Sequence, residues 1–220
     1  MARPRTFDEE RALDAAMHAF WANGYEATST QDLCDATGLG RSSIYNTFSS
    51  KHELFQRALA RYIDSMTSTQ IKILEDTERT PMERLRALLT RIVDSEFECR
   101  ASGDGSGNSD GDGSEDGGRG GGADGHSIGC LTVNTTVELA GRDPEAAELL
   151  ARDLSVRLAA ISAVVRAGQS GGDISSTRDA GDLARFLNAV IGGMRISAQG
   201  GADRATLTAI GETALDALNH

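Results

Sequence analysis

The stretch Ser29-Thr30-Gln31-Asp32-Leu33-Cys34-Asp35-Ala36-Thr37-Gly38-Leu39-Gly40-Arg41-Ser42-Ser43-Ile44-Tyr45-Asn46-Thr47-Phe48 decides the fold. Ser29 precedes Asp32 by three residues, the spacing of a capping box, so a short helix is expected over 30–37. Gly38-Leu39-Gly40 reads as a tight turn. A second short helix is expected over 41–48, with Ile44 and Phe48 four residues apart on one side, and Ser49-Ser50 breaks it. Arg41, Ser42, Ser43, Tyr45, Asn46 and Thr47 are left on its outer side. Two short helices joined by a glycine turn are the helix-turn-helix pattern.

Working outward, Leu13, Ala16, Met17 and Phe20 share one face of a preceding helix that Asn23-Gly24 ends. A longer helix starts near Lys51, with Phe55, Leu59, Tyr62 and Met66 at helical spacing. Thr80-Pro81-Met82-Glu83 is a strong start signal for a helix ending near Cys99. Residues 129–140 are expected to be helical although rich in β-branched residues. Asp143-Pro144 opens a long helix with Leu150, Leu154, Leu158, Ile161 and Val165 on one face, closed by Gly168. Leu183 to Met194 and Leu207 to Leu218 mark the last two. The expectation is all-α: about nine helices, an N-terminal trio followed by a helical bundle.

The chain has 220 residues, with 22 basic and 33 acidic side chains and a net charge of −11. Residues 101–127 hold six acids, one base and 11 of the 25 glycines, and so supply −5 of that charge. Such a composition buries no core, so a disordered, solvated insertion is expected there, one whose deletion leaves the fold intact. Within it, Asn108, Asp110, Asp112 and Gly113 resemble the start of a calcium loop. Arg119 occupies the twelfth position, where a bidentate Glu is needed, so no calcium site is expected. No apolar stretch reaches the length of a membrane span, and the N-terminus has no secretory character, so a cytoplasmic protein without membrane partners is expected. Three cysteines without a CxxC pair exclude a disulfide scaffold. His18, His52, His126 and His220 are scattered, and no nucleophile triad, phosphate loop or metal cluster accompanies them. Neither enzyme activity nor a cofactor or metal is expected.

An acidic chain binds nucleic acid only through a local site. A short helix presenting small polar side chains enters a DNA major groove, where Arg41 has the geometry to pair with guanine and Asn46 with adenine. Tyr45 and Thr47 suit phosphates, as does Lys51 at the start of the next helix. Residues 1–62 carry seven bases against eight acids, so the basic character is confined to Arg3, Arg5, Arg41 and Lys51.

Residues 7–62 resemble the DNA-binding domain of the TetR/AcrR family of bacterial transcription regulators. The resemblance rests on Ala15-Ala16-Met17-His18-Ala19-Phe20, Asn23-Gly24-Tyr25, Thr28 to Leu33, Gly38 to Phe48 and Ser50-Lys51-His52-Glu53-Leu54-Phe55. It implies a DNA-binding domain over 1–62 and a ligand-binding and dimerisation domain over 63–220. It further implies a dimeric repressor that leaves a palindromic double-stranded DNA operator when a small-molecule effector binds. Carried over by position, the DNA-facing set is Gln31, Arg41, Ser42, Ser43, Tyr45, Asn46, Thr47 and Lys51. Cys34 is expected to be buried. Gly129-Cys130-Leu131-Thr132-Val133-Asn134 resembles a signature that opens a cavity-facing helix in one group of these regulators. Candidate pocket residues are Met66, Phe97, Cys130, Asn134 and Phe186. The implied dimer interface takes Phe186, Val190, Met194, Leu207, Ile210 and Leu218 from the last two helices, and Gly192-Gly193 would permit close approach there. An alternative keeps the fold and makes Cys130, at a helix start and near the end of the Cys99 helix, a redox- or electrophile-sensing thiol.

Overall fold

The computed structural model describes residues 5–103 and 128–219, with side chains described over 9–98 and 128–219. Its helices are α1 (Arg5–Asn23), α2 (Thr30–Thr37), α3 (Arg41–Phe48), α4 (Lys51–Leu74), α5 (Pro81–Gly103), α6 (Leu131–Leu139), α7 (Pro144–Gly171), α8 (Ala180–Gln199) and α9 (Arg204–Asp216), then a 3-10 turn at Ala217–Asn219. No strand occurs among the described residues. The glycine-rich insertion lies outside them from residue 104 onward, as do the Cys99 side chain, Arg3 and His126.

Local chemistry sets most helix ends. The Ser29 hydroxyl accepts from the Asp32 amide at 3.1 Å, and the Asp32 carboxylate accepts from the Ser29 amide at 2.6 Å. This box is the one the spacing predicts, and the Ser29 bonds hold the Asp32 carboxyl below its ordinary value. Gly38 closes α2 at φ 67°, where a side chain would be strained. Thr80 and Glu83 form a second box at the start of α5: the Thr80 amide donates to Glu83 at 2.8 Å and the Glu83 amide to Thr80 at 3.3 Å. α5 runs past its expected end near Cys99 to Gly103.

Packing divides the chain into two compact units: residues 1–78 with 130–164, and residues 79–129 with 165–220. The grouping differs from the boundary expected between 62 and 63, because α6 and most of α7 cluster with the N-terminal helices. The first unit's core joins Phe20, Leu33, Ile44, Phe48, Leu54, Phe55 and Leu59 to Leu131 and Leu139 of α6 and to Cys130 at its N-cap, all at most 3% exposed. Phe20 meets Phe55 edge-on with ring centroids 5.1 Å apart. Arg57 pairs with Glu9 and Arg61 with Asp14, tying α4 to α1. Cys34 is half-buried against this core rather than enclosed.

The second unit buries Leu85, Leu88, Leu89 and Ile92 of α5 against α8 and α9. Met194, Leu207 and Leu218 are fully buried within this unit. Expected at a dimer interface, these three side chains are instead enclosed within their own unit. Glu96 and Arg195 form a buried ion pair at 3.2 Å in the same unit. Two expectations for α7 are also corrected. Gly168 does not close the helix, which runs on to Gly171. A Cβ there would lie 2.7 Å from the Ile174 side chain, so the glycine admits the α7–α8 loop. Leu154, expected on the inner face, is 37% exposed.

Candidate nucleic-acid interface

α3 is eight residues long, and its two faces are chemically distinct. Ile44 and Phe48 are 1% and 0% exposed in the first unit's core. Arg41, Ser42, Ser43, Asn46 and Thr47 are exposed, and Tyr45 is half-buried between the faces. Burying Ile44 and Phe48 stabilises the docked helix by about 1.5–3 kcal/mol each, so the exposed polar side chains of α3 are not needed to dock it. Gln31 is exposed on α2, where its amide donates to Asp35 at 2.8 Å.

Tyr45 joins the two helices of the motif. Its hydroxyl lies 2.9 Å from the Thr30 hydroxyl at the first residue of α2. The Arg41 guanidinium sits 5.8 Å from the centre of the Tyr45 ring. Ser49 turns the chain at φ 58°, a left-handed conformation unusual for a residue with a side chain. Ser50 then caps α4, its hydroxyl accepting from the Glu53 amide at 3.0 Å. Lys51 follows as the first residue of α4, its ammonium 4.5 Å from the centre of the Tyr25 ring. With Arg57 and Arg61 occupied by α1 carboxylates, Arg41 and Lys51 are cations resting on aromatic rings beside the exposed edge of α3. This is a polar, weakly basic helix edge carrying hydroxyl and amide donors, which suits a groove and its flanking phosphates.

Behind α2–α4 lies a joint that sequence spacing did not reveal. The Glu138 carboxylate accepts from the Tyr25 amide at 3.0 Å and the Glu26 amide at 2.8 Å. His52 Nε2 lies 2.7 Å from Asp143 Oδ2, and Asp143 also caps α7 by accepting from the amides of Glu145 and Ala146 at 3.0 and 3.1 Å. Burial opposes the charged Asp143 carboxyl, but the Ala146 amide and His52 outweigh it and hold its pKa below the usual range. Burial raises the Tyr25 phenol, as do the charges of Glu26 and Asp143, so its ring stays neutral. One signal was available in the sequence: an acid in the last turn of a helix opposes the helix dipole and calls for an outside donor.

The expected pocket residues fall in both units. Met66, Cys130 and Asn134 belong to the first, Phe97 and Phe186 to the second. Cys130 is 3% exposed, receives the Tyr62 hydroxyl at 3.4 Å and lies 3.0 Å from the Thr132 hydroxyl. Met66 and Asn134 are half-buried. Phe97 is half-buried beneath the Arg204 guanidinium, 4.8 Å from its ring centre. Phe186 is 41% exposed and lines an open groove of about 560 Å³ with Val190, Ile210 and the small side chains of α9. Its exposure places it on a surface of the second unit. A Cβ at Gly192 or Gly193 would meet nothing within 4 Å in the chain.

Comparisons agree with this architecture. Residues 12–58 match the N-terminal domain of bacterial regulatory proteins of the tetR family, and residues 123–212 match the tetracyclin repressor-like C-terminal domain. The HTH-type transcriptional repressor ComR of Escherichia coli is 31% identical over 97% of this chain and 90% of its own. A cysteine-substituted CifR, a TetR family regulator solved with 26-base-pair operator DNA, superposes with a TM-score of 0.75 at 26% identity, covering 98% of this chain and 99% of CifR. A TetR regulatory protein from Rhodobacter sphaeroides shares the fold at a TM-score of 0.77 and 15% identity, covering 96% and 98% of the two chains. Among the described residues no helix is long and apolar enough to cross a membrane. With a matching helix-turn-helix, a matching C-terminal domain and a full-length relative, the chain belongs to the TetR family of helix-turn-helix transcriptional regulators.

Proposed function

We propose that this protein is a dimeric, cytoplasmic transcriptional repressor that holds a palindromic operator and releases it when a small molecule binds beyond the DNA-binding domain. The carrying observation is the division of α3 into a buried apolar side and an exposed polar one, with Arg41 and Lys51 beside it. Arg41 reads a guanine, Asn46 faces an adenine edge, and Gln31, Ser42, Ser43, Tyr45, Thr47 and Lys51 hold backbone phosphates. Two such helices need a separation of about 34–36 Å, one turn of DNA. The open apolar groove of Phe186, Val190 and Ile210, with the uncrowded Gly192-Gly193, supports pairing of α8 and α9 with their twins. The division of labour is 1–62 for DNA and 63–220 for ligand and dimer, with Met66, Cys130 and Asn134 as pocket candidates. An effector that binds a conformer with wider-spaced recognition helices shifts the population away from DNA.

A reactive thiol needs access, and Cys130 at 3% exposure has little, so a bound effector is preferred to thiol oxidation. The test is footprinting on DNA upstream of the protein's own gene and on genomic fragments, at stated salt. A protected palindrome with half-sites one turn apart, lost in Arg41→Ala without unfolding, supports the reading. Unchanged binding by Arg41→Ala refutes the assigned site.

A further inference from the structure

The turn between α1 and α2 is held from within by the buried Thr28 hydroxyl, which donates to the Gly24 carbonyl at 2.6 Å, and from outside by Glu138. α1 ends at Asn23, Gly24 follows at φ 80°, and the next two amides find their acceptor outside the helix. Glu138 takes both, Oε2 on Tyr25 and Oε1 on Glu26, across 113 and 112 residues of sequence. Both are charge-assisted bonds, roughly twice as strong as neutral ones. A Cβ on Gly24 would lie 3.0 Å from the same carboxylate, so the turn and the side chain are fitted closely.

The anchored residue is the one that seats Lys51. The Tyr25 ring packs on Phe55 at 4.8 Å and stands edge-on to His52 at 6.2 Å. Its face carries the Lys51 ammonium at 4.5 Å. The position of that cation therefore depends on the Tyr25 ring, and the ring on the backbone that Glu138 holds. A lysine otherwise samples many rotamers, and ordering it costs entropy at the moment of binding.

We infer that Glu138 is a positioning residue for operator binding: by accepting the Tyr25 and Glu26 amides it fixes the aromatic seat from which Lys51 meets a DNA phosphate. The inference rests on the regulator reading above. It carries a sign that separates it from simple electrostatics. Glu138 is an acid in the same packing unit as the helix-turn-helix, so neutralising it by charge alone would tighten binding to a polyanion. Loss of positioning weakens it.

The experiment uses the full-length protein and the footprinted operator, with fluorescence anisotropy across a salt series. Glu138→Gln is expected to raise Kd about tenfold and to flatten the salt dependence toward that of Lys51→Ala, by about 0.9 in slope for each phosphate no longer neutralised. In the Glu138→Gln background, Lys51→Ala is expected to cost much less than in the wild type, a non-additivity that general destabilisation would not produce. Tyr25→Leu keeps both amides for Glu138 and removes only the ring; it is expected to reproduce the weakened Lys51 contribution, while Glu138→Asp, which keeps the charge and shortens the reach to the two amides, is expected to weaken binding in the same way and tests the anchor if Glu138→Gln fails to fold. Wild-type affinity or tighter binding by Glu138→Gln, or additive costs with Lys51→Ala, overturns the inference while leaving the regulator reading standing. Absence of DNA binding by the wild type overturns both.

Discussion

Replacing Tyr45 with phenylalanine removes one oxygen atom and tests two roles at once. In the free protein that hydroxyl lies 2.9 Å from the Thr30 hydroxyl in a half-buried position between α2 and α3. A neutral hydrogen bond of this kind contributes about 1 kcal/mol to stability. If the same hydroxyl holds a phosphate in the complex, a bond to a charged group, each half-site loses at least about 1.5 kcal/mol, and a dimer about 3 kcal/mol. That corresponds to on the order of 100-fold in Kd. Thr30→Val is the control. It removes the same bond within the protein but leaves the Tyr45 hydroxyl free for DNA, so it should lower the thermal midpoint as Tyr45→Phe does with little effect on operator Kd. The assay is fluorescence anisotropy with a labelled operator, alongside thermal denaturation of both variants. Because a neutral hydroxyl displaces no counterion, Tyr45→Phe should shift the salt plot without changing its slope. Operator affinity of Tyr45→Phe within twofold of wild type, or equal losses in the two variants, would refute the phosphate role and leave only a helix-joining one.

Two further predictions concern the joint and the interface. Asp143 titrates below the ordinary carboxylate range when folded, so its contribution is complete above about pH 4 and fades as pH falls through the lowered value. The gap in thermal midpoint between wild type and Asp143→Asn should therefore close as the pH falls below about 4; a gap that persists undiminished at pH 2.5 would contradict this. In the second unit, Leu207→Ala should destabilise the fold by about 2–5 kcal/mol, whereas Phe186→Glu should leave the fold intact and shift the protein from dimer to monomer in sedimentation. A monomeric, well-folded Leu207→Ala, or a fully dimeric Phe186→Glu, would reverse these assignments.

The sequence by itself determined the parts of this protein whose physics is local. The Ser29–Asp32 box, the Thr80–Glu83 box and the positive-φ glycine at 38 each involve a few neighbouring residues, and their spacing was enough to locate α2, α3 and α5. The inward pair Ile44 and Phe48 followed from helical periodicity, and with it the outward polar set of α3. Periodicity does not, however, say which of two covered faces a side chain meets. Met194 and Phe186 are both apolar on α8, yet one is sealed against α5 and α9 and the other lies open in a groove. Leu154 continues an apolar stripe on α7 and still meets solvent. Gly168 reads as a stop signal, and its actual duty is to admit Ile174. The joint of Glu138 with Tyr25 and of His52 with Asp143 spans 91 to 113 residues. Those partners meet only because α6 and the start of α7 fold back onto the N-terminal helices. Capping and periodicity act within a turn or two of the chain, whereas burial and long-range acceptor choice exist only once the helices have packed.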